Sequence, residues 1–380
     1  MTIMNRDLLM KNMSKEQDFP LTFEEWERRA SENMLLGGFG YASTGAGRGE
    51  TEKRNAEAFS KWAIVPRMLQ DVSTVDMGVK MFGRSYKTPF FLAPIGVQVL
   101  AHEEAECATA KAAAVMEVPF IVSTVSSCSL EEISEAAPSG PKWFQLYFSS
   151  VHPELSYSMV ERAERSGYEA IVITVDTVMA GWREQDIRSG FSPLASGYGK
   201  GNYVNDPVFM KSLPNQDGES VIASIFENIQ HPNLTWKDIA EVKKRTSLPV
   251  LIKGILHPED AKIAVEYGVD GIIVSNHGGR QLDGVIASID ALPEIVEAVD
   301  GQIPILLDSG VRRGIDAVKS LALGATGVLI GRPFLYGLAA GGQKGVEKVL
   351  ERFIQETEVS LALSGMADLK QISKLKMVRQ

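Results

Sequence analysis

Short apolar runs alternate with amphipathic segments from about residue 88 to about residue 345. The runs are Pro89–Pro94, Pro119–Ser123, Trp143–Tyr147, Ala170–Val175, Pro249–Lys253, Gly271–Ser275, Pro304–Asp308 and Thr326–Ile330. Near-continuous runs of this kind, rich in Val, Ile, Leu and Phe, are typical of strands that are buried on both faces. They therefore predict a parallel sheet.

Most of these runs are separated by stretches with helical spacing, such as Glu103–Met116, Glu259–Tyr267 and Ile315–Leu323. Strands that alternate with helices indicate an α/β fold built from βα units. Eight such units favour a closed (β/α)8 TIM barrel. The alternative is an open doubly wound sheet, which would more naturally carry a glycine-rich fingerprint after its first strand. No such fingerprint follows Pro94.

One connection is longer than the others. The fourth and fifth runs begin about eighty residues apart, at Ala170 and Pro249. The extra chain is rich in Gly, Pro, Ser and Asn and predicts a long lid loop after strand four, an insertion over about 184–236. We predict one structural domain: a helical N-terminal lead-in over 1–87 that packs on the barrel, the barrel over 88–345, and C-terminal helices over 346–380.

Charge and composition remove several classes of function. With 39 basic and 48 acidic residues the net charge is −9, which argues against a general nucleic-acid binder. Cys107 and Cys128 have no zinc spacing and no HExxH motif occurs, so no metal site is expected. No run approaches the roughly 20 apolar residues that span a bilayer, and the N-terminus lacks a signal-peptide core. We expect a cytoplasmic protein with no membrane partner.

Two glycine-containing loops follow the seventh and eighth runs, which is where TIM barrels frequently bind phosphate. They are Asp308–Gly314 and Gly331–Pro333. Glycines let backbone N–H groups approach an oxyanion, and Arg312 and Arg332 would add charge-assisted hydrogen bonds. The alternative is a pair of helix starts with surface arginines.

An acid–base group follows the sixth run. His277, within the segment Ser275–Gln281, stands just past a predicted buried strand and is suited to removing a proton near a bound anion. A capping histidine explains His277 alone equally well. Asp176, two residues past Thr174, would orient the imidazole and stabilise its charged form.

Three cations complete the candidate site. Arg183 and Arg280 at one barrel mouth would clamp a carboxylate, although Arg183 alone is better explained by an ion pair with Glu184 or Asp186. Lys253 ends a buried apolar run and needs a negative partner, either a cofactor anion or a neighbouring carboxylate.

The segment Ser275–Gln281 resembles the signature of the FMN-dependent L-2-hydroxy-acid oxidases and dehydrogenases, relatives of glycolate oxidase. The likeness spans about residues 35–345. Its other segments are Gly40–Gly47, Leu92–Ile95, Trp143–Tyr147, Thr174–Asp176, Ile252–Gly254, Asp308–Gly314 and Gly331–Pro333. Within the family the chain is most similar to L-lactate oxidases and L-lactate 2-monooxygenases; Lys200–Pro207 and Leu234–Asp238 look more like the latter.

The resemblance implies a barrel that binds FMN and uses oxygen to oxidise a small L-2-hydroxy acid, most simply L-lactate. His277 is then the base, with Asp176 behind it, while hydride passes to flavin N5. The residues assigned to the substrate are Tyr41, Tyr147, Arg183 and Arg280. The residues assigned to FMN are Ala93, Pro94, Ile95, Gly96, Ser123, Gln145, Thr174, Lys253, Ser275, Asp308, Ser309, Gly310, Arg312, Gly331 and Arg332. A homotetramer or homo-octamer is implied by resemblance alone.

Two positions depart from the family pattern. Gly96 stands where many members have Ala, which we interpret as extra space over the reactive ring, and Val125 replaces the usual aromatic residue. The products are either pyruvate and hydrogen peroxide or, if a lid retains pyruvate, acetate, carbon dioxide and water. Other classes on the same barrel are an FMN-dependent isomerase or nucleotide dehydrogenase, and a non-catalytic flavin-binding sensor. The arginine pair argues against the first class, and the pairing of His277 with Asp176 argues against the sensor.

Overall fold

The N-terminal segment is only partly helical. The structure, a computed structural model, describes residues 19–35 and 37–380, so residues 1–18 of the predicted lead-in lie outside the described residues. The first described elements are helices α1 (Phe23–Asn33), α2 (Gly38–Ser43) and α3 (Glu50–Ala58), strand β1 (Trp62–Val65), and the hairpin strands β2 (Val79–Met81) and β3 (Arg84–Tyr86). The helical prediction is therefore wrong for 62–86, where short strands meet at a turn that places Phe82 and Gly83 at positive φ.

Eight parallel strands form the predicted closed barrel. They are β4 (Phe90–Leu92), β5 (Phe120–Ser123), β6 (Lys142–Leu146), β7 (Ile171–Thr174), β8 (Val250–Ile255), β9 (Gly271–Val274), β10 (Ile305–Leu307) and β11 (Gly327–Ile330). They follow one another in sequence order around the barrel, and β11 pairs with β4 to close it. The TIM-barrel prediction is confirmed strand by strand.

Burial on both faces explains why the strands show no polar alternation. One residue of each strand packs inside the barrel, and these are Phe91, Ile121, Trp143, Val172, Leu251, Ile273, Leu306 and Leu329. The alternate positions, such as Phe90 and Leu92, pack outward against the helices. The β2–β3 hairpin contacts the interior cluster beside the start of β4, with ring centroids of Tyr86 and Phe91 5.6 Å apart. The carboxyl ends of the strands are left for the site.

Helices occupy the connections. They are α4 (Ala105–Met116), α5 (Leu130–Ala136), α6 (Pro153–Arg165), α7 (Glu184–Ser189), α8 (Gly201–Val204), α9 (Pro207–Ser212), α10 (Gly218–Ile229), α11 (Trp236–Lys244), α12 (Pro258–Glu266), α13 (Ser288–Val299), α14 (Gly314–Ala322) and α15 (Arg332–Leu363). No helix among the described residues has both the length and the apolar character needed to cross a bilayer.

The insertion between β7 and β8 differs from the predicted loop, because five helices, α7 to α11, run through it. Its polar residues start helices: the Asp206 carboxylate accepts the N–H groups of Val208 and Phe209, and the Asp217 carboxylate accepts that of Ser220. Side chains that cap helices also favour turns, so composition alone could not distinguish the two.

The C-terminal segment also departs from the prediction. Helix α15 runs through the predicted boundary at residue 345 and kinks at Gly341 and Gly342. The chain then ends in a strand, β12 (Lys376–Arg379), which pairs antiparallel with β1. The last residues are therefore not helical, and they join the N-terminal segment.

Candidate active site

A pocket of about 1080 Å³, counting its open mouth, lies at the carboxyl ends of the barrel strands. Every predicted site residue lines it except Asp176, Gln145, Thr174 and Ser275. Those four are close to the wall: each contacts or pairs with a lining residue, namely His277, Ser123 and Lys253. The structure thus brings the predicted residues together.

The loop that carries His277 is held in an uncommon conformation. His277 has φ +59°, a left-handed value that is strained for a residue with a side chain, and Gly278 and Gly279 continue in the same region. The N–H of His277 donates to Ser275 Oγ at 3.0 Å, and that of Gly278 donates to Ser309 Oγ at 3.0 Å. These bonds turn the imidazole into the pocket immediately after β9.

His277 and Asp176 form a hydrogen-bonded pair, with Nδ1 and Oδ1 2.9 Å apart. Burial lowers the pKa of His277 below its ordinary value, although the charge of Asp176 opposes this, and Lys253 and Arg183 add to the lowering. Burial opposes ionisation of Asp176, but the charge and hydrogen bond of His277 outweigh it and keep the pKa of Asp176 below its usual range. The pair is thus a neutral imidazole beside a carboxylate, with Nε2 left as the basic atom.

This geometry sets the pH dependence of kcat/KM, which reports ionisation of the free enzyme. With His277 as the proposed base, which works only when unprotonated, and with its pKa below the ordinary 6.5, we expect activity to be retained at neutral pH and lost as pH falls through that lower value. We expect the acid limb of kcat/KM below pH 6.5. In Asp176→Asn the limb moves lower still, because a charge that favours imidazolium is gone. A limb above 6.5 in the unaltered enzyme would contradict the assignment.

Two guanidinium groups meet beside Tyr41. Arg280 lies 4.6 Å and Arg183 5.9 Å from the centre of its ring. Arg280 donates to the carbonyls of Tyr41 and Thr44, and Arg183 donates to the Arg280 carbonyl at 3.2 Å. Burial and the charge of Arg183 lower the pKa of Arg280 to about 10, so it stays charged at neutral pH. Two cations held this close favour an anion between them.

For Arg183 the sequence left open either an ion pair with a neighbouring carboxylate or a place at the barrel mouth, and the structure shows both. Its Nη1 lies 3.9 Å from Asp186 Oδ2, and its Nη2 donates to Gln281 Oε1 at 3.1 Å, yet it also lines the pocket. Tyr147 lines the same wall. Burial raises the pKa of its phenol well above the usual range, and the charge of Asp176 raises that pKa further. Tyr147 is therefore a neutral hydrogen-bonding group.

Lys253 has both a polar and a charged partner. Its Nζ donates to Ser275 Oγ at 2.9 Å and lies 3.3 Å from Asp308 Oδ2. The negative partner demanded by its burial is therefore a neighbouring carboxylate, and Asp308 faces Lys253 as well as the pocket. The ammonium group lies in the pocket wall between Ser275, at the start of the His277 loop, and Asp308, at the start of the loop after β10.

The part of the pocket formed by the loops after β10 and β11 suits a phosphate. Arg312 has no carboxylate within ion-pair distance in the part of the chain that the structure describes; its guanidinium lies 4.3 Å from the Phe23 ring centre. Burial and the nearby charge of Arg332 lower the pKa of Arg312 to about 10. Gly331 stands at the N-terminus of α15, which favours anions.

A flavin also needs hydrogen-bonding partners along the pocket, and the chain offers one. The Gln145 side-chain nitrogen is buried and has no partner among the described residues. Gly310, at φ +87°, approaches Asn55 so closely that a Cβ would lie 2.3 Å from the Asn55 carbonyl oxygen. An unpaired buried donor on β6 and two cations in the loops after β10 and β11 fit FMN.

The structure contradicts the prediction that Gly96 leaves extra space in the pocket. A Cβ at Gly96 would lie 2.5 Å from Val125 Cγ2 and 2.7 Å from the Val125 carbonyl oxygen. The missing methyl therefore does not enlarge the pocket; its place is taken by the loop after β5. That loop is fixed by the N–H of Val97, which donates to the Val125 carbonyl at 3.0 Å.

Gly96→Ala is accordingly expected to destabilise the fold by about 1–3 kcal/mol, the usual cost of overpacking. Thermal unfolding of the two proteins measures it as a melting temperature lowered by several degrees. Gly218→Ala is the control, since nothing lies within 4 Å of a Cβ there. Equal melting temperatures for Gly96→Ala and the unaltered protein would show that the loop after β5 moves to accommodate the methyl group without loss of stability.

Sequence reasoning missed the residues that support the His277 loop. The carboxamides of Asn55 and Asn276 donate to each other, both at 2.7 Å, and both side chains are buried. It also missed apolar lining residues such as Met34, Leu100 and Leu335. Asn276 lies within the signature segment and was available; Asn55 and the apolar residues carry no pattern that links them to a site.

Known proteins resemble this chain over nearly its whole length. The family model described as FMN-dependent dehydrogenase matches residues 30–379. L-lactate oxidase of Lysinibacillus sphaericus is 55% identical over 98% of this chain and 96% of its own. Glycolate oxidase 3 of Arabidopsis thaliana is 42% identical over 92% of this chain and 94% of its own.

A solved structure of mandelate oxidase with (S)-4-hydroxymandelic acid matches with a TM-score of 0.86 at 38% identity, covering 95% of this chain and 99% of that one. Fold and sequence therefore agree. The chain belongs to the FMN-dependent dehydrogenase family, and it is an FMN-dependent enzyme of 2-hydroxy acid oxidation.

Proposed function

We propose that the protein oxidises L-lactate to pyruvate and passes the electrons to oxygen, which leaves as hydrogen peroxide. The observation that carries the proposal is the placement of His277 and two arginines, Arg183 and Arg280, on the wall of one pocket. A base for a hydroxyl group and a cationic clamp for a carboxylate together match a 2-hydroxy acid. The choice of lactate is supported by two relatives named L-lactate oxidase, at 55% and 43% identity.

The chain's own residues orient and deprotonate the substrate. Arg183 and Arg280 bind the carboxylate, and Tyr41 and Tyr147 line the same space. The Nε2 atom of His277 accepts the hydroxyl proton as the carbon-bound hydrogen leaves. FMN, when bound, supplies the acceptor for that hydrogen with its two electrons and passes the electrons to oxygen.

Two charges prepare the site for the proton transfer. Asp176 accepts a hydrogen bond from Nδ1 and stabilises the imidazolium that forms, which also fixes the tautomer. Lys253 places a positive charge in the pocket wall and favours negative charge nearby. Ser123, Gln145, Thr174 and Ser275 lie at strand ends and would hold the flavin ring, while Arg312 and Arg332 would hold its phosphate.

We assign the lid role to residues 184–197, the first part of the insertion. This part packs on α2, which carries Tyr41: a Cβ on Gly37 would lie 2.7 Å from the Phe191 ring. A cover here would exclude water and delay product release.

The products test the proposal. Purified enzyme is mixed with L-lactate in air-saturated, catalase-free buffer, and oxygen consumption, pyruvate, hydrogen peroxide and acetate are measured. We expect one pyruvate and one hydrogen peroxide per lactate and per oxygen. Acetate and carbon dioxide in place of pyruvate from the first turnovers, with no free hydrogen peroxide, would replace the oxidase with the 2-monooxygenase outcome. Oxidation of glycolate or mandelate without oxidation of L-lactate would overturn the assignment of L-lactate as the substrate.

A further inference from the structure

Asn202, on α8 of the insertion, is fully buried against the end of β5. Its side-chain nitrogen donates to the carbonyls of Ser123 and Thr124, both at 3.1 Å, and to Ser126 Oγ at 3.2 Å. Its side-chain oxygen accepts the N–H of Leu130 at 2.9 Å. Every polar atom of this carboxamide is used, and each partner lies more than seventy residues away in sequence.

Asn202 is itself held in place. Its backbone carbonyl accepts Arg162 Nη1 at 2.7 Å, and Arg162 forms a buried ion pair with Asp206 at 3.1 Å. The preceding Gly201 lies so close to the loop after β5 that a Cβ would be 2.5 Å from the Ser127 carbonyl oxygen. The carboxamide is therefore a rigid support for this loop.

The residues at the end of β5 connect Asn202 to the groups beside the pocket. The hydroxyl of Ser123 donates to Gln145 Oε1 at 3.0 Å, and the hydroxyl of Thr124 donates to the Gln145 carbonyl at 2.7 Å. The N–H of Tyr147 donates to the same Thr124 hydroxyl at 2.9 Å. These contacts fix the Gln145 amide so that its unpaired nitrogen is oriented before any ligand binds.

We propose that Asn202 is a positioning residue for FMN: by holding the Ser123 and Thr124 carbonyls, it sets where the Ser123 hydroxyl and the Gln145 amide meet the flavin ring. Through this residue the insertion, which is not part of the barrel, contributes to the binding and redox properties of the cofactor. The proposal depends on FMN dependence alone and not on which hydroxy acid or electron acceptor the enzyme uses.

Asn202→Asp tests the proposal, because it keeps the shape and the acceptor for Leu130 but replaces the donor to the two carbonyls with an oxygen. Asn205→Asp is the matched control: Asn205 is exposed, follows the same helix, and its side chain donates to the Gly201 carbonyl and to no other group among the described residues. The measurements on purified holoenzyme are the FMN dissociation constant, the visible absorption of the bound flavin and its reduction midpoint potential. Asn202→Ser is made in parallel, since it removes the carboxamide without placing a negative charge against the two carbonyls.

In Asn202→Asp we expect an FMN dissociation constant raised about tenfold or more, with a shifted absorption band and midpoint potential. Asn202→Ser should give an intermediate change, and Asn205→Asp should stay within about twofold of the unaltered protein. Unchanged flavin properties in folded Asn202→Asp or Asn202→Ser would overturn the proposal. Failure of both to fold would overturn it too, because Asn202 would then support the domain rather than the cofactor site.

Discussion

Replacing His277 with Gln is expected to slow the reduction of bound flavin by L-lactate about 10²–10⁴-fold, the range that a well-placed general base contributes. Glutamine can still hydrogen-bond to Asp176, which lies 2.9 Å from Nδ1, so the loop and the FMN site should be retained. What is lost is a basic nitrogen that faces the pocket. Stopped-flow absorbance under anaerobic conditions measures the rate directly.

The control for this substitution is His257→Gln, at an exposed histidine that caps α12. It should reduce flavin at the unaltered rate. Flavin reduction by His277→Gln within tenfold of the unaltered enzyme would remove His277 as the base. Its left-handed backbone would then need a structural explanation.

Arg280→Met should lower kcat/KM for L-lactate by roughly 30-fold to 4,000-fold, the equivalent of about 2–5 kcal/mol for a buried charge that loses its partner. Most of the loss should appear as a higher KM, because carboxylate binding is common to ground state and transition state. Arg280 also holds the Tyr41 and Thr44 carbonyls, so kcat should fall as well. Arg280→Lys should recover part of the activity, since a lysine keeps the charge and loses the planar fork.

Steady-state kinetics over a range of L-lactate concentrations checks this second expectation. Arg165→Met is the matched control, because Arg165 is exposed at the end of α6 and does not line the pocket. An unchanged KM in Arg280→Met would show that the carboxylate is bound elsewhere, and Arg183 would be the first residue to examine.

The barrel could be predicted from sequence because both faces of its strands are buried. Each strand places an apolar residue inside, such as Phe91 or Trp143, and apolar neighbours outside, so the middle of each strand is apolar. His277 and Asp176 could be found because parallel strands bring their carboxyl ends together whatever their separation in sequence. The strand ends alone indicated the acid–base and phosphate groups, whereas Tyr41 and most of the residues assigned to the flavin came from the family resemblance.

Local packing could not be predicted in the same way. Gly96 was interpreted as empty space, but Val125 occupies the position that a methyl would take. Asn55 and Asn202 act through contacts with residues far away in sequence, and no periodic pattern marks such contacts. The short strands at 62–86 and at the C-terminus were missed because their residues are mostly exposed or half-buried, so they lack the long apolar runs that mark the barrel strands.

Anaerobic mixing of the FMN-loaded enzyme with L-lactate tests the central claim most directly, because it isolates the oxidation of the hydroxy acid from all reactions with oxygen. We expect the visible absorption of oxidised flavin to disappear and one pyruvate to form for each flavin. A folded, FMN-loaded enzyme whose spectrum is unchanged by L-lactate, and which forms no pyruvate, would contradict it.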